Sequence, residues 1–568
     1  MIVKCRSDCC TMKKNFNFHV HSNFKNSIPR PQKTKTKVLL LAGWLIAGAV
    51  YYYFNHPVLN IKTVFFFSYV VYGLVLIWIL SLFFEPKQIV YDSKKKSFLG
   101  TVFTVVILAG VLWAGGSMLI CSPVFMAKSF ANRIEIQNVD FDKVKEVDFT
   151  KTPIIDRDST IVLGDRVMGE MPELVSQFEV STEYTQISYK DSVYRVTPLE
   201  YAGFFKFMGN YKEGIPAYIL VNSVTGEAEL VRLSDLGLDG MKYVPSGYFN
   251  YDLYRKLQMQ YPTTIFGDPS FEIDEEGHPW YICTTYDYAA FESRKLVSGV
   301  ILFDPITGES TKYDDVLDAP TWIDRIYPES LVTEQVDQNG SLQNGFINSI
   351  IGQKNVTYTS EGYNYLEQDG DIYIYSGITS ANKDSSNLGF VLVNLRTHEA
   401  MKITSPGANE TSAMASAEGE VKNYGYTSTF PLLVNVNGHP VYMMALKDDS
   451  GLIKMYAMVD ASDYQKVATI SSDEGFENLK KNFIALEGGN APDAEDLQTK
   501  EITINTVQIL TIEDTTKCFM TDSENNRYKI TLSTKNEDVV AFLKAGDKVS
   551  ITYIPAEDVN AIQKIERK

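Results

Sequence analysis

The chain has 568 residues, a formal net charge of −17, 45% hydrophobic residues and only six cysteines. The length allows several domains, the apolar content excludes a disordered chain, and so few cysteines exclude a disulfide-stapled secreted scaffold. Residues 1–98 hold 14 Lys/Arg against 3 Asp/Glu, a net +11, which leaves −28 on residues 99–568; that larger part repels nucleic acid and anionic lipid headgroups and favours cationic or neutral partners or bound divalent ions, the charge otherwise serving solubility alone.

Residues 1–37 form a basic N-terminus with nine Lys/Arg and one Asp. Cys5, Cys9 and Cys10, with His19 and His21 downstream, match no standard zinc spacing. Met12-Lys13-Lys14-Asn15 reads as a natural bacterial start, an alternative to Met1 that would delete all three cysteines. No small-residue cleavage site follows the first apolar stretch, so the segment is not expected to be a cleaved signal peptide.

Three uncharged apolar segments come next: Val38–Phe54, Val64–Phe84 and Leu99–Cys121, of 17, 21 and 23 residues. Their lengths predict three transmembrane helices within 38–121, contacting membrane lipid. The 55–62 loop carries only Lys62, whereas the 85–98 loop carries Lys87, Lys94, Lys95 and Lys96. Basic loops stay inside, which predicts a multi-pass plasma-membrane protein with a cytoplasmic N-terminus and an extracellular region after Cys121. None of the spans contains Asp, Glu, Lys, Arg or His, so they read as an anchor rather than an ion path. Gly43…Ala47 and Gly110…Ala114 are small-xxx-small patterns suited to close helix packing.

After a membrane-proximal segment (122–180), a unit repeats. Ile219-Leu220-Val221-Asn222-x-x-Thr225-Gly226-Glu227 returns as Ile301-Leu302-Phe303-Asp304-x-x-Thr307-Gly308-Glu309 and as Val391-Leu392-Val393-Asn394-x-x-Thr397-His398-Glu399. It returns more weakly as Ala457-Met458-Val459-Asp460-x-x-Asp463-Tyr464-Gln465. An apolar strand, an Asn/Asp that bonds its own turn, and a Gly near the return are hairpin chemistry. A second hairpin precedes each one, turning at Tyr189–Asp191, Asp274–Pro279, Gln368–Gly370 and Asn435–Pro440 before an aromatic strand. The unit is therefore a four-stranded antiparallel meander. Turn positions lie 82, 90 and 66 residues apart, too uneven for a tight solenoid, which leaves paired domains (181–330 and 331–486) or a closed ring.

The Asn/Asp-x-x-Thr-Gly-Glu hairpin, best matched from Thr197-Pro198-Leu199-Glu200-Tyr201-Ala202 to Glu227, resembles the PepSY family over about 60 residues per copy. The resemblance implies non-catalytic α/β modules that bind or regulate envelope proteins. His398, where the other copies have Gly, departs from the pattern.

The Gly/Pro/acid stretch 487–497 reads as a linker. Residues 498–568 follow with strands expected at 501–512, 516–522, 526–532, 548–554 and 561–565 and a helix at 537–544. Five strands with a late helix resemble a small OB-type barrel. Its aromatics Phe519, Tyr528, Phe542 and Tyr553 suit core as well as a ligand face.

His278 and His439 share a Gly-His-Pro turn and read as hairpin features. Asp314-Asp315, Asp274-Glu275-Glu276 and Asp448-Asp449 sit at turns and match no calcium loop. No nucleophile, zinc or phosphate motif occurs. No catalytic, cofactor-binding or metal residue is assigned, and no cofactor is expected. The expected fold class is a membrane-anchored chain: three N-terminal transmembrane helices, then a mainly β ectodomain, with some α+β, of repeated antiparallel hairpins and a C-terminal small OB-like barrel. The expected function is a non-enzymatic integral membrane protein of a bacterial, Gram-positive type envelope. Its acidic ectodomain would bind or regulate an envelope protein or peptide. The alternatives are a wall-acting hydrolase with dispersed carboxylates and a structural subunit of an envelope or secretion assembly.

Overall fold

The computed structural model describes residues 34–84, 98–381, 386–486, 498–512, 515–532, 536–554 and 559–567. The basic N-terminus with its cysteines and histidines, the four lysines of 87–96 and the 487–497 linker lie outside the described residues. The chain forms two units: residues up to Asn55 with Phe67–Ile107, and His56–Phe66 with everything from Leu108 onward.

The first unit holds helices α1 (Thr34–Asn55), most of α2 (Val64–Phe84) and the start of α3 (Phe98–Ile120). Trp44 of α1 stacks on Tyr72 of α2 with ring centres 3.8 Å apart. Gly48 makes that possible, since a Cβ there would lie 2.1 Å from the Tyr72 hydroxyl. A Cβ on Gly43, by contrast, meets nothing within 4 Å, so the first small-xxx-small pattern is not what packs these helices.

The expected three transmembrane helices require correction. Among the described residues, only Val38–Asn55 of α1, 18 residues, is by itself long and apolar enough to cross a membrane. The apolar stretch described within α2 runs only Val64–Leu76. The Thr104–Ile120 stretch of α3 bends by 56° into α4 (Pro123–Ala131) and makes a second span only if the bent pair counts as one. Pro123 causes the bend by holding Ser122 extended, with ψ of 163°. Among the described residues at most two spans remain. The multi-pass topology, the cytoplasmic and extracellular assignments drawn from it, and lipid anchoring through three helices therefore do not stand.

In the second unit, β1 (Ile136–Asp140) and α5 (Arg157–Gly169) precede four sheets. The first contains β2 (Phe178–Val180), β3 (Thr185–Tyr189), β4 (Ser192–Tyr201), β5 (Ala217–Asn222) and β6 (Ala228–Arg232). The second contains β7 (Ile265–Phe266), β8 (Ser270–Ile273), β9 (Pro279–Ala290), β10 (Ser293–Phe303) and β11 (Ser310–Tyr313). The third contains β12 (Thr357–Thr359), β13 (Asn364–Gln368), β14 (Asp371–Ser380), β15 (Ser386–Asn394) and β16 (Ala400–Ala408), with β1 added in parallel to β16. The fourth contains β17 (Thr427–Ser428), β18 (Leu432–Val436), β19 (His439–Lys447), β20 (Ile453–Asp460) and β21 (Val467–Ser471).

Every sheet has one plan: a first strand broken in two, both pieces paired to the same second strand, then two more antiparallel strands. Pro269 and Pro431, which lack an amide hydrogen, stand in two of the breaks. A helix precedes each sheet: α5, then Leu253–Gln260, Glu329–Leu342 and Glu410–Glu420. Asp156, Asp252 and Asn409 cap three of them by accepting the amides of Ser159, Arg255 and Ser412. The body is thus mixed α/β, which corrects the mainly β expectation of hairpins alone.

The first two sheets share one core, including Ile219, Phe271, Tyr281 and Phe303. The last two share another, including Tyr375, Phe390, Met443 and Met458, with helix Phe476–Leu486 packed on it. Ile326 and Tyr327 donate to the Leu395 carbonyl between the second and third sheets. Ser159 of α5 donates to the Gly451 carbonyl at 3.0 Å, joining the fourth sheet to the first. Beyond residue 497, β22 (Gln498–Ile512), β23 (Thr515–Asp522), β24 (Arg527–Thr531), β25 (Lys548–Ile554) and β26 (Asn560–Arg567) close a barrel in the order β22-β23-β24-β26-β25. Lys517 of the barrel pairs with Asp473 of the body at 2.9 Å.

Gly299 and Gly389 occupy matching bulges in the third strands of the second and third sheets, with φ of 141° and 150°. A Cβ would lie 2.2 Å from the Tyr313 carbonyl oxygen and 2.1 Å from that of Ile403. Gly389→Ala is expected to lose roughly 1–3 kcal/mol of stability or more. Gly419→Ala, in helix Glu410–Glu420 with nothing within 4 Å, is expected to hold or raise stability. Equal unfolding midpoints for the two variants would contradict this account of the bulges.

Candidate functional site

The four recurring Asn/Asp residues all sit between the third and fourth strands of a sheet and make the same bonds. Asn222 Oδ1 accepts the amides of Val224 and Thr225, both at 2.9 Å. Asp304 does so with Ile306 and Thr307, Asn394 with Arg396 and Thr397, and Asp460 with Ser462 and Asp463. Gly226, Gly308 and His398 then adopt φ of 78°, 76° and 68°. His398 is held in that unfavourable conformation by stacking on Tyr327, ring centres 4.3 Å apart, and by a 2.6 Å bond to Gln335. Burial first, then Arg133, pushes its pKa down to about 4, so the ring stays neutral. These turns are architecture: each Oδ1 is spent on its own loop, and Asn394 Nδ2 also donates to Asp371 at 2.8 Å.

The Gly-His-Pro pair does not converge. His278 is half-buried against Trp280 and lies 3.9 Å from Asp304, whereas His439 is exposed at the start of β19. Asp274 Oδ1 accepts the His278 amide and its Oδ2 accepts the Trp280 indole N–H, so this acid also serves its turn. Among the described residues, no group of three or more His, Cys, Asp or Glu is placed to hold a metal ion. In the barrel, Tyr528 and Tyr553 are core, Phe519 is half-buried and Phe542 is exposed.

The site that geometry does build is a cleft of about 410 Å³. Its near wall is a strap. After β1 joins the outer edge of the third sheet, the chain crosses to the fourth, where Asn435 Nδ2 donates to the Val144 carbonyl at 2.7 Å. The Val147 amide donates to the Asn435 carbonyl at 3.0 Å, so the strap runs strand-like beside β18. The far wall is the β13–β14 tip around Glu367–Gly370, with Ser188 and Asp191 of the first sheet; Phe390, Leu392, Leu433 and Val434 form an apolar floor.

The rim charges are already engaged. Lys145 pairs with Asp369 at 2.8 Å, Lys151 with Glu367 at 3.9 Å and Lys480 with Glu146 at 2.7 Å. Hydrogen bonds from the Thr150 side chain and amide hold the Asp148 carboxyl below the usual carboxylate range. The cleft offers an apolar floor, a strand-like wall and paired charges.

Sequence reasoning missed a buried polar cluster between the sheets. Glu272 on β8 accepts the amides of Asp324 at 2.9 Å and Arg325 at 3.2 Å; Asp324 accepts that of Ser188 at 2.7 Å. Arg325 forks onto Glu329 with contacts of 2.7–3.0 Å, and the Tyr365 hydroxyl donates to Glu329 at 2.8 Å. Burial pushes Glu272 up to about 7, and burial together with Glu272 drives Asp324 well above the carboxylate range. Burial works against Glu329 too, but the Arg325 fork outweighs it and leaves that carboxyl below its ordinary value. Glu272 and Asp324 are 0% and 2% exposed, and their bonds go to backbone amides rather than toward a substrate. The only signal in the sequence was a lone Glu among apolar residues in Ser270-Phe271-Glu272-Ile273.

Because Glu272 keeps its proton to about pH 7 when folded and releases it near 4.3 when unfolded, the unfolded chain binds fewer protons in between. The contribution of Glu272 is therefore fully present below pH 4 and lost as pH rises through 7. The stability difference between the wild type and Glu272→Gln is expected to shrink between pH 5 and pH 7.5 in denaturant titrations. A difference independent of pH would show that Glu272 is ionised in the folded protein.

No family model matches the chain, and no curated protein matches its sequence. Among solved structures, it aligns at 10% identity with a Synechocystis apocarotenoid oxygenase mutant, covering 69% of this chain and 65% of that one, with a TM-score of 0.12. It aligns at 9% identity with the Pseudomonas aeruginosa PilY1 C-terminal domain (65% and 66% covered, TM-score 0.13) and with an ACO/RPE65 chimera (68% and 65% covered, TM-score 0.12). The chain thus spans about two thirds of the length of the structures it matches, and at such TM-scores the alignments carry no argument about fold or function.

Proposed function

We propose that the chain is a membrane-tethered, non-catalytic binding protein of a bacterial envelope, whose body holds an extended segment of another envelope protein in the cleft beside the strap. The observation that carries this reading is the strap itself. A stretch of this chain already lies strand-like against Asn435, at the edge of an apolar floor rimmed by paired charges. An extended peptide gains main-chain bonds at such an edge and side-chain specificity from the floor. The hairpin resemblance to PepSY modules supports binding or regulation rather than chemistry, and the barrel order β22-β23-β24-β26-β25 supports an OB-type module beside the cleft. The hydrolase alternative is disfavoured because the best carboxylate pair, Glu272 and Asp324, is sealed inside the body.

A photoreactive residue at Gln368, on the cleft wall, is expected to form a discrete protein adduct in native membranes, whereas one at exposed Phe542 is not. Adducts of glycan alone at Gln368, or equal labelling at both sites, would refute a peptide-binding cleft.

A further inference from the structure

The inference concerns two apolar lobes of the body and rests on the reading of α1 as the membrane tether. Four residues after α1 ends at Asn55, the Leu59 amide donates to the Pro262 carbonyl at 2.7 Å. Asn60 Nδ2 bonds the Thr263 carbonyl at 3.1 Å and Lys62 pairs with Asp287 at 2.7 Å. Four extended residues reach at most about 14 Å. The covalent link between α1 and this grip is thus only four residues long.

The first lobe adjoins this grip. His56 lies within electrostatic reach of Asp252 and Arg255, and the Arg255 guanidinium donates to the Phe249 carbonyl. Phe249 has φ of 56°, a conformation bulky residues rarely adopt, and its ring is exposed. Phe204 packs against it at 6.2 Å and against Phe205 at 5.6 Å, and Phe205 is 85% exposed. The second lobe follows the α3–α4 bend, where the Cys121 carbonyl is bonded by Ser293. α4 buries Phe130 and Ala131 against Leu342 and Phe346 while leaving Phe125 exposed. Just past Phe346, Ile347 and Ile351 are 73% and 81% exposed.

Single exposed apolar residues are ordinary, but clusters of fully solvated Phe and Ile are not. We infer that these lobes dip into the interfacial layer of the bilayer, so that the body rests on the membrane surface instead of swinging from a single helix. Aromatic and branched apolar residues on short surface segments are what such a layer accepts. Neither lobe contributes a residue to the lining of the cleft.

The test uses the full chain in nanodiscs, with one fluorescent unnatural residue at position 205, 350, 46 or 542. Position 46 lies in α1 and 542 on the barrel. Brominated lipid is expected to quench 46, 205 and 350 by about twofold or more and to leave 542 unchanged, as interfacial insertion requires. Quenching at 46 alone would overturn the lobes and leave the tether standing. Quenching at none of the four would overturn the tether and the lobes with it. Protection of 205 and 350 that grows with protein concentration, without lipid quenching, would assign the lobes to a second copy and overturn the inference.

Discussion

The body depends on how it satisfies one irregular stretch of backbone. Asp324–Tyr327 runs through the interior between the second and third sheets, where no ladder is available to it. Unmet buried amides are among the costliest defects a fold can carry. Glu272 takes the amides of Asp324 and Arg325, and the Leu395 carbonyl takes those of Ile326 and Tyr327. Both acceptors come from distant hairpins, so neighbouring sheets lock in register around this strand of chain. Burying Glu272 is tolerable because its charge is suppressed and its lone pairs are used.

That arrangement explains why the polar interior is not an active site. A catalytic acid needs a perturbed carboxyl with access to substrate. Here the perturbation comes from sealing the carboxyl away. The cleft has the opposite character: it is open, apolar at its base, and rimmed by ion pairs worth little individually because solvent screens them. The first pattern holds sheets together; the second leaves a surface whose charges can exchange partners at small cost.

What was legible in the sequence follows from the range of the forces involved. The Asn222, Asp304, Asn394 and Asp460 turns act within six residues, so their chemistry shows in the local motif. The helices capped by Asp156, Asp252 and Asn409 carried equally local signals, but they were passed over because strand alternation dominated the reading. The bulge at Gly389 answers to Ile403, and Glu272 answers to residues about fifty positions away; neither is visible without the fold. The N-terminal segments were misread for a different reason. Apolar length alone does not decide how many spans form: among the described residues only Val38–Asn55 meets the length and composition of a span by itself. The strap was invisible because its partner, Asn435, lies on the other side of three sheets in sequence.

The parallel pairing of β1 with β16 has a consequence for biosynthesis. Ile136 must wait for Ala400, roughly 260 residues later, before its strand has a partner. At translation rates of about 5–20 residues per second, that is on the order of 13–50 seconds. Throughout that interval the stretch between the apolar helices and the first sheet is an unpaired edge on a nascent chain, the kind of segment that invites aggregation or chaperone capture. Nearest-neighbour assembly can finish the first two sheets, but the third gains its sixth strand only from the oldest part of the body. The order of synthesis therefore makes β1 early and leaves it unpaired until the third sheet is complete.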